Sequence, residues 1–463
     1  MAAIPPFDAD LLRRYDRPGP RYTSYPTAPQ FKPGFGETDF ARAARLSNDD
    51  PIPRRLSLYA HVPFCFSPCF YCGCNRIITR DKARAGTYLS RLVREVAMLG
   101  PLFDRDREVL QVHLGGGTPN FFTASQIGEL LESLNTHFRF SQSPTRDFSI
   151  ELDPRFVDRG DIEALAFMGF NRASLGVQDF DPAVQEAVNR IQSVEETNAV
   201  IRNCRRSGFR SVNVDLIYGL PLQTPESFKR TLAQVAQLRP DRIALYAYAH
   251  LPSRFKPQRR IIAAELPSPG DKLSMLSMSL DAMSDAGYVY VGMDHFALPT
   301  DALAVAKRQG RLHRNFQGYS TRPDCDLIAL GVSAIGRVGA TYSQNAKTLE
   351  EYYDLLDQGR LPIVRGLALN RDDLLRRAVI MSIMCQGELS FESIDLGHLI
   401  DSRTYFAREF IALRPLAEAG LVELDDSGLQ VTARGWYLVR AIAMVFDRHL
   451  QTDRDRARFS KII

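Results

Sequence analysis

From residue 55 to about residue 290 the sequence alternates six times between two hydrophobic periodicities. Short β-like runs occur at 56–62, 109–114, 148–152, 172–177, 211–217 and 242–248, and an amphipathic helical stretch follows each: 87–99, 125–137, 161–168, 194–206, 225–238 and 271–286. The second helix shows the pattern well, with Ile127, Leu130, Leu131 and Leu134 on one face. Strands that alternate with helices pair in parallel and carry the helices outside the sheet. Six units are fewer than a closed eight-fold barrel needs, so the expected fold is α/β, a curved and open partial (β/α)6 barrel.

In barrels of this kind chemistry sits at the carboxyl ends of the strands. The first run leads into Leu58–Ile77, which holds Cys65, Cys69, Cys72 and Cys74. The second ends in Gly115-Gly116-Gly117-Thr118-Pro119, the third in Glu151-Leu152-Asp153-Pro154 and the fourth in Gly176-Val177-Gln178-Asp179. The fifth ends in Asp215-Leu216-Ile217-Tyr218-Gly219 and the sixth in Tyr248-Ala249-His250. Each has a plain structural reading as well. A glycine triplet can be a turn, and Glu151 or Asp215 can cap the next helix. Their joint placement on one rim favours a binding site.

The first three of those cysteines read C-x3-C-x2-C. Three thiolates on a curled loop can each hold one iron of a cubane cluster, leaving one iron open to a small molecule. Zinc usually takes paired C-x2-4-C units separated by a longer insert, or a His pair; here the four thiols sit within ten residues with no second cluster of ligands. A closed cluster that uses Cys74 is the other alternative, although only Gly73 separates it from Cys72. Cys204, Cys325 and Cys385 are scattered and read as buried small hydrophobes.

The C-x3-C-x2-C loop after a strand resembles that of the radical S-adenosylmethionine (SAM) enzymes. The fuller wording resembles the oxygen-independent coproporphyrinogen III oxidases. It includes YAHVPFC at 59–65, Tyr71, Gly73-Cys74-Asn75, GPRYTSYPT at 19–27, GMDHFA at 292–297 and HRNFQGY at 313–319. The resemblance implies one 4Fe-4S cluster on Cys65, Cys69 and Cys72, and two SAM molecules. Tyr59, Gly116, Glu151 and Ile335 would contact the first. Tyr71, Gly117, Thr118, Gln178, Arg190, Asp215 and Ala249 would contact the second.

The implied reaction uses a 5′-deoxyadenosyl radical to turn two propionates of coproporphyrinogen III into vinyl groups, giving protoporphyrinogen IX. A substrate with four carboxylates needs cationic anchors. Candidates are Arg21, His295, His313, Arg314, and the group Arg254, Lys256, Arg259 and Arg260. A small electron-donor protein and an electron acceptor are implied partners, and a monomer is expected. Heme-trafficking relatives keep the loop and the barrel, but typically lack Cys74, the GPRYTSYPT arm and GMDHFA. One local departure is Gln386-Gly387-Glu388, where relatives tend to carry an aromatic.

A chain of 463 residues is long enough for two or three domains. We expect an extended N-terminal arm (1–54), the barrel with its extension (55–350), and a mostly helical, winged-helix-like C-terminal domain (351–463). Winged helices often bind DNA. Here the candidate recognition helix at 406–420 is not strongly basic and the net charge is only +4, so a cover over the barrel is expected and no nucleic acid. The N-terminus lacks the basic start and apolar core of a secretion signal, and no apolar run approaches the roughly 20 residues of a membrane span. A cytoplasmic location is expected.

Overall fold

The computed structural model describes residues 8–322, 325–450 and 459–460; the first seven residues of the expected arm lie outside these. The strands of the alternation are β1 (Leu56–Val62), β2 (Glu108–Gly116), β3 (Asp147–Leu152), β4 (Arg172–Gln178), β5 (Ser211–Tyr218) and β6 (Arg242–Ala247). The helices are α1 (Ala83–Leu99), α2 (Ala124–His137), α3 (Arg159–Phe167), α4 (Val194–Arg206), α5 (Pro225–Leu238) and α6 (Pro269–Asp285). All lie within a few residues of the expected ranges. Helix starts are set by side-chain caps: Thr123 with Gln126 on α2, and Ser193 with Glu196 on α4, each bond reciprocally across the first turn. Residue by residue, β1 is buried on both faces, as a parallel strand covered on both sides must be.

The sheet departs from six strands. The alternation continues through β7 (Val289–Gly292) and β8 (His295–Ala297), an antiparallel pair added beside β6. On the other side β9 (Asp326–Leu330) runs parallel to β1, with Leu56 opposite Asp326 and Ala60 opposite Leu330. It is a seventh parallel strand. Three antiparallel strands continue from it: β10 (Ile335–Val338), β11 (Thr341–Asn345) and β12 (Ile363–Ala368). The sheet stays open, with β7 and β12 at its edges. No helix follows β9, so the strand–helix rhythm that marks the others is missing there. Its start is fixed by Asp326, which is fully buried, pairs with Arg107 at 2.6 Å and accepts a hydrogen bond from Ser47.

Residues 1–54 were expected to lack regular structure, yet they hold helices at Ala9–Tyr15 and Glu37–Asn48. The second buries Phe40, Ala43, Ala44 and Ser47; alanine and serine carry little hydrophobic signal, which hid the periodicity. The arm between them is a strap. Tyr22 and Tyr25 are buried in the same core as α7 (Arg371–Gln386), and Tyr22 donates to Asp447 at 3.0 Å. Arg440 donates to the carbonyls of Gly19 and Pro20. Lys32 and Gly366 exchange backbone hydrogen bonds at 2.7 and 3.0 Å, tying the strap to β12.

That C-terminal core also contains a helix at Ala407–Glu418 and a small sheet of Glu388–Ser390, Gly428–Val431 and Val422–Leu424. The expected last helix over 433–450 is shorter: a 3-10 turn at Arg434–Leu438 and an α-helix at Val439–Met444. Gly435 lies so close to the Leu421 carbonyl that a Cβ there would clash with it. Beyond Met444 the chain turns inward, and Asp447 meets Tyr22. Among the described residues no helix is long and apolar enough to cross a membrane.

Candidate active site at the strand ends

The cysteine loop is tied down by its own backbone and by one arginine. Ile77 N–H donates to Pro63 O at 2.7 Å and Thr79 N–H to Cys65 O at 3.0 Å, closing the loop at its base. Arg76 reaches across it, donating to Cys69 O at 2.9 Å and Cys72 O at 3.1 Å. Asn189 holds the far side through Pro68 O at 2.6 Å. Cys65 and Cys69 are buried, Cys72 is half-buried and Cys74 is exposed.

Donors surround the sulfurs. Thr118 Oγ1 donates to Cys65 Sγ at 3.4 Å, Arg190 Nη1 lies 3.6 Å from Cys69 Sγ, and Cys74 N–H donates to Cys72 Sγ at 3.4 Å. Burial pushes the Cys65 thiol up to about 11. Cys72 is held below the usual thiol value by a hydrogen bond from the Cys74 thiol and, against burial, by Arg76 and the Cys74 N–H. Among the described residues no three His, Cys, Asp or Glu side chains converge tightly enough to hold a single metal ion. Three thiolates ringed by arginines and N–H donors suit an iron–sulfur cluster.

A cavity of about 190 Å³ opens between this loop and the rim. Its floor is the glycine run at the end of β2. Gly116 sits at φ +119°, a conformation that L side chains rarely adopt, against the His61 ring. A Cβ on Gly117 would lie 2.7 Å from Pro63 O and 2.8 Å from Phe64 O, so only glycine fits beneath the loop. Gln178 also has positive φ, +70°, where a bulge breaks the register between β4 and β5. The bulge turns its side chain back over Gly176.

Two carboxylates meet the cavity, with their pKa values shifted in opposite directions. Glu151 accepts from Gly116 N–H at 3.0 Å and from His113 at 3.3 Å. Burial opposes its charge, yet these bonds keep its pKa below the ordinary carboxylate value. Asp215 accepts from Asn213 at 2.8 Å and Ser174 at 3.2 Å, while burial and the Glu151 charge push it up to about 6. Arg190 is 7 % exposed, donates to Gly176 O at 2.6 Å and pairs with Asp153 at 3.3 Å. Its Nε has no partner. A buried, unsatisfied donor costs about 1–3 kcal/mol, which an acceptor in the cavity would recover.

The structure thus gathers Cys65, Cys69, Tyr71, Cys72, Gly116, Gly117, Thr118, Glu151, Gln178, Arg190 and Asp215 around one cavity. Three expected residues stand off its lining. Tyr59 stacks on His113, with ring centroids 5.7 Å apart, and so supports Glu151 indirectly. Ala249 is joined to Tyr71 by Gln258, whose amide donates to both carbonyls, at 3.2 and 2.9 Å. Ile335 lies on β10 opposite Gln344. Sequence reasoning assigned no role to Asp153, Arg155, Arg76 or His113. Asp153 was visible as a strand-end acid, but its partner Arg190 is 37 residues away in sequence.

The cavity continues inward. Glu151, Ser174 and Asp215 also line the barrel lumen, another cavity of about 190 Å³. Of the candidate anchors, His295 lines the lumen, but burial and the neighbouring Arg314 lower its pKa to about 3, so it is neutral. Arg21 is engaged by Asp294 and lies over the Tyr246 ring at 5.3 Å. Arg254, Lys256, Arg259 and Arg260 line neither of these cavities. His313 and Arg314 line a further cavity beneath the lumen.

The sequence matches the radical SAM superfamily over residues 59–235 and the HemN C-terminal domain over residues 369–438. It is 51 % identical to the oxygen-independent coproporphyrinogen III oxidase of Pseudomonas aeruginosa over 457 residues, covering 99 % of each chain. Identity to the Escherichia coli enzyme of the same name is 46 %, covering 99 % of this chain and 98 % of that one. The solved structure of E. coli coproporphyrinogen III oxidase, a radical SAM enzyme, superposes with a TM-score of 0.91 over 96 % of this chain and all of that one. The radical SAM family implies a 4Fe-4S cluster and SAM, which the donor set around the loop suits. This chain belongs to the oxygen-independent coproporphyrinogen III oxidases.

Proposed function

We propose that this protein converts coproporphyrinogen III to protoporphyrinogen IX by oxidative decarboxylation of two propionate side chains, with two molecules of SAM bound at the rim. The observation that carries this reading is the continuity of the site. The cysteine loop, the glycine floor and the paired carboxylates share one cavity, and that cavity adjoins a lumen lined by polar side chains, with Glu151, Ser174 and Asp215 on the wall of both.

Cys65, Cys69 and Cys72 would hold the cluster, which, when bound, supplies one electron and radical chemistry through SAM. The chain's own residues bind, orient and exclude water. Glu151, charged and fixed by Gly116 N–H, is an acceptor for an ammonium or ribose hydroxyl; so is Asp215. The backbone at Gly116 and Gly117 lets a ligand approach closely. Arg190 offers its unpartnered Nε to an acceptor in the cavity. Tyr59, Ala249 and Ile335 are the remaining proposed contacts, although none of them lines the cavity. We expect a monomer served by a small electron-donor protein and a separate electron acceptor.

The test is an anaerobic assay of reconstituted protein with coproporphyrinogen III, SAM and a reductant. Divinyl product formed with release of two CO2 per molecule is the expected result. Tight heme binding with no decarboxylation would assign the chain to heme trafficking instead.

A further inference from the structure

We propose that the arginine-lined cavity beneath the barrel lumen is a receptor for substrate carboxylates that do not react. It rests on the coproporphyrinogen reading above. The cavity, of about 260 Å³, lies between the starts of β1 and β2, the hairpin 313–320 and α7. Arg314, Arg322, Arg337 and Arg377 all line it, and no Asp or Glu does among the described residues. Arg337 and Arg377 are already engaged within the chain.

The other two carry unused donors. Arg314 is 7 % exposed; its Nε donates to Arg21 O at 3.1 Å and its plane covers Tyr319, but its Nη1 is buried with no partner. Arg322 Nε is buried and unpartnered in the same way, and so is the Ser57 hydroxyl on the cavity wall. Each unsatisfied donor costs free energy that a carboxylate would recover. The fork of a guanidinium matches a carboxylate with two parallel hydrogen bonds.

Position matters as much as charge. Gln111 and Asn315 line both this cavity and the lumen, and the lumen shares Glu151, Ser174 and Asp215 with the rim. The three spaces adjoin one another in series, which a ligand spanning them would follow as a path. Along β2 the path runs from Gln111 to Gly116, roughly 17 Å at about 3.3 Å per residue. A broad ligand with carboxylates on several edges can place one side chain at the rim while others reach the arginines. A small free anion would fill the floor alone.

Binding of coproporphyrin III, the air-stable oxidised tetracarboxylate, tests this by fluorescence titration of the full chain. Arg314→Gln and Arg322→Gln should each weaken binding about tenfold, Arg322→Lys should lose less than Arg322→Gln, and the tetramethyl ester should bind all of them equally poorly. Iron content and the thermal midpoint show whether each variant has folded. Unchanged affinity in both glutamine variants, or equal binding of acid and ester, overturns the proposal. So does competition by millimolar citrate or inorganic phosphate without sensitivity to esterification, which would assign the cavity to a free anion. This readout does not depend on turnover: a wild-type chain that binds coproporphyrin III through these arginines but forms no vinyl product refutes the reaction, not the receptor.

Discussion

At the scale of single residues, the cysteines divide by where their sulfurs stand. Cys69 is buried beside Arg190, whereas Cys74 is exposed and reaches Cys72 through both its thiol and its backbone N–H. Cys69→Ala should therefore abolish the broad iron–sulfur absorbance and the bound iron. Cys74→Ala should keep both, because the backbone donor survives the substitution; iron analysis after anaerobic reconstitution separates the two, and iron loss in Cys74→Ala would make it a ligand. A second residue-scale prediction concerns Glu95. It is 1 % exposed and accepts from Tyr352 at 2.6 Å, Gly331 N–H at 2.7 Å and Asn345 at 2.7 Å, joining α1 to the segment after β9. Burial raises its pKa to about 7 against these bonds. Between the ordinary carboxylate value and about 7 the folded chain holds a proton that the unfolded chain has lost. Its stabilising contribution is thus full at acid pH and declines as pH rises toward its folded pKa, by about 3 kcal/mol in all. Urea unfolding at pH 5 and pH 8 should show that decline in the wild type and lose it in Glu95→Gln.

At the scale of elements, the site is made by the segments that leave the carboxyl end of each strand, and the end of β2 is the tightest point. Gly117→Ala leaves the local backbone in an allowed region but drives a methyl against the carbonyls of Pro63 and Phe64. Backbone on both sides cannot yield as a flexible side chain would. The cysteine loop should shift, with bound iron and SAM affinity falling at least tenfold while overall folding persists; unchanged iron content would show that the loop tolerates the displacement. The strands and helices that carry this rim were legible because each repeats its own period over several residues. The seventh parallel strand was not. Its apolar run, with alanine, glycine and serine at the end, lacks a following helix, and only its register against β1 identifies it.

At the scale of the whole molecule, the arm, barrel and C-terminal core depend on each other. Tyr22 is 1 % exposed inside the C-terminal core although it lies more than 300 residues earlier in the chain than the α7 residues it joins. Tyr22→Ala should destabilise that core by about 3–5 kcal/mol and expose the segment from residue 371 onward to proteolysis before the barrel. Equal protease resistance in mutant and wild type would show that the strap contributes little. The motif GPRYTSYPT could be read as an arm that packs on something; what it packs on could not be read, because its partners Asp447 and Arg440 carry no local signal of contact. His295 makes the same point in the opposite direction, since its residue type suggested a cation and its enclosure makes it neutral. By itself, the sequence determined what short-range physics controls: the period of each element, the turns that glycine permits, and the spacing of thiols on one loop. Only the tertiary structure decided which strand closes against β1, which charges are neutralised and which guanidinium groups share a cavity. Those outcomes depend on burial and on pairs far apart in the chain, and neither is encoded in any single stretch of it.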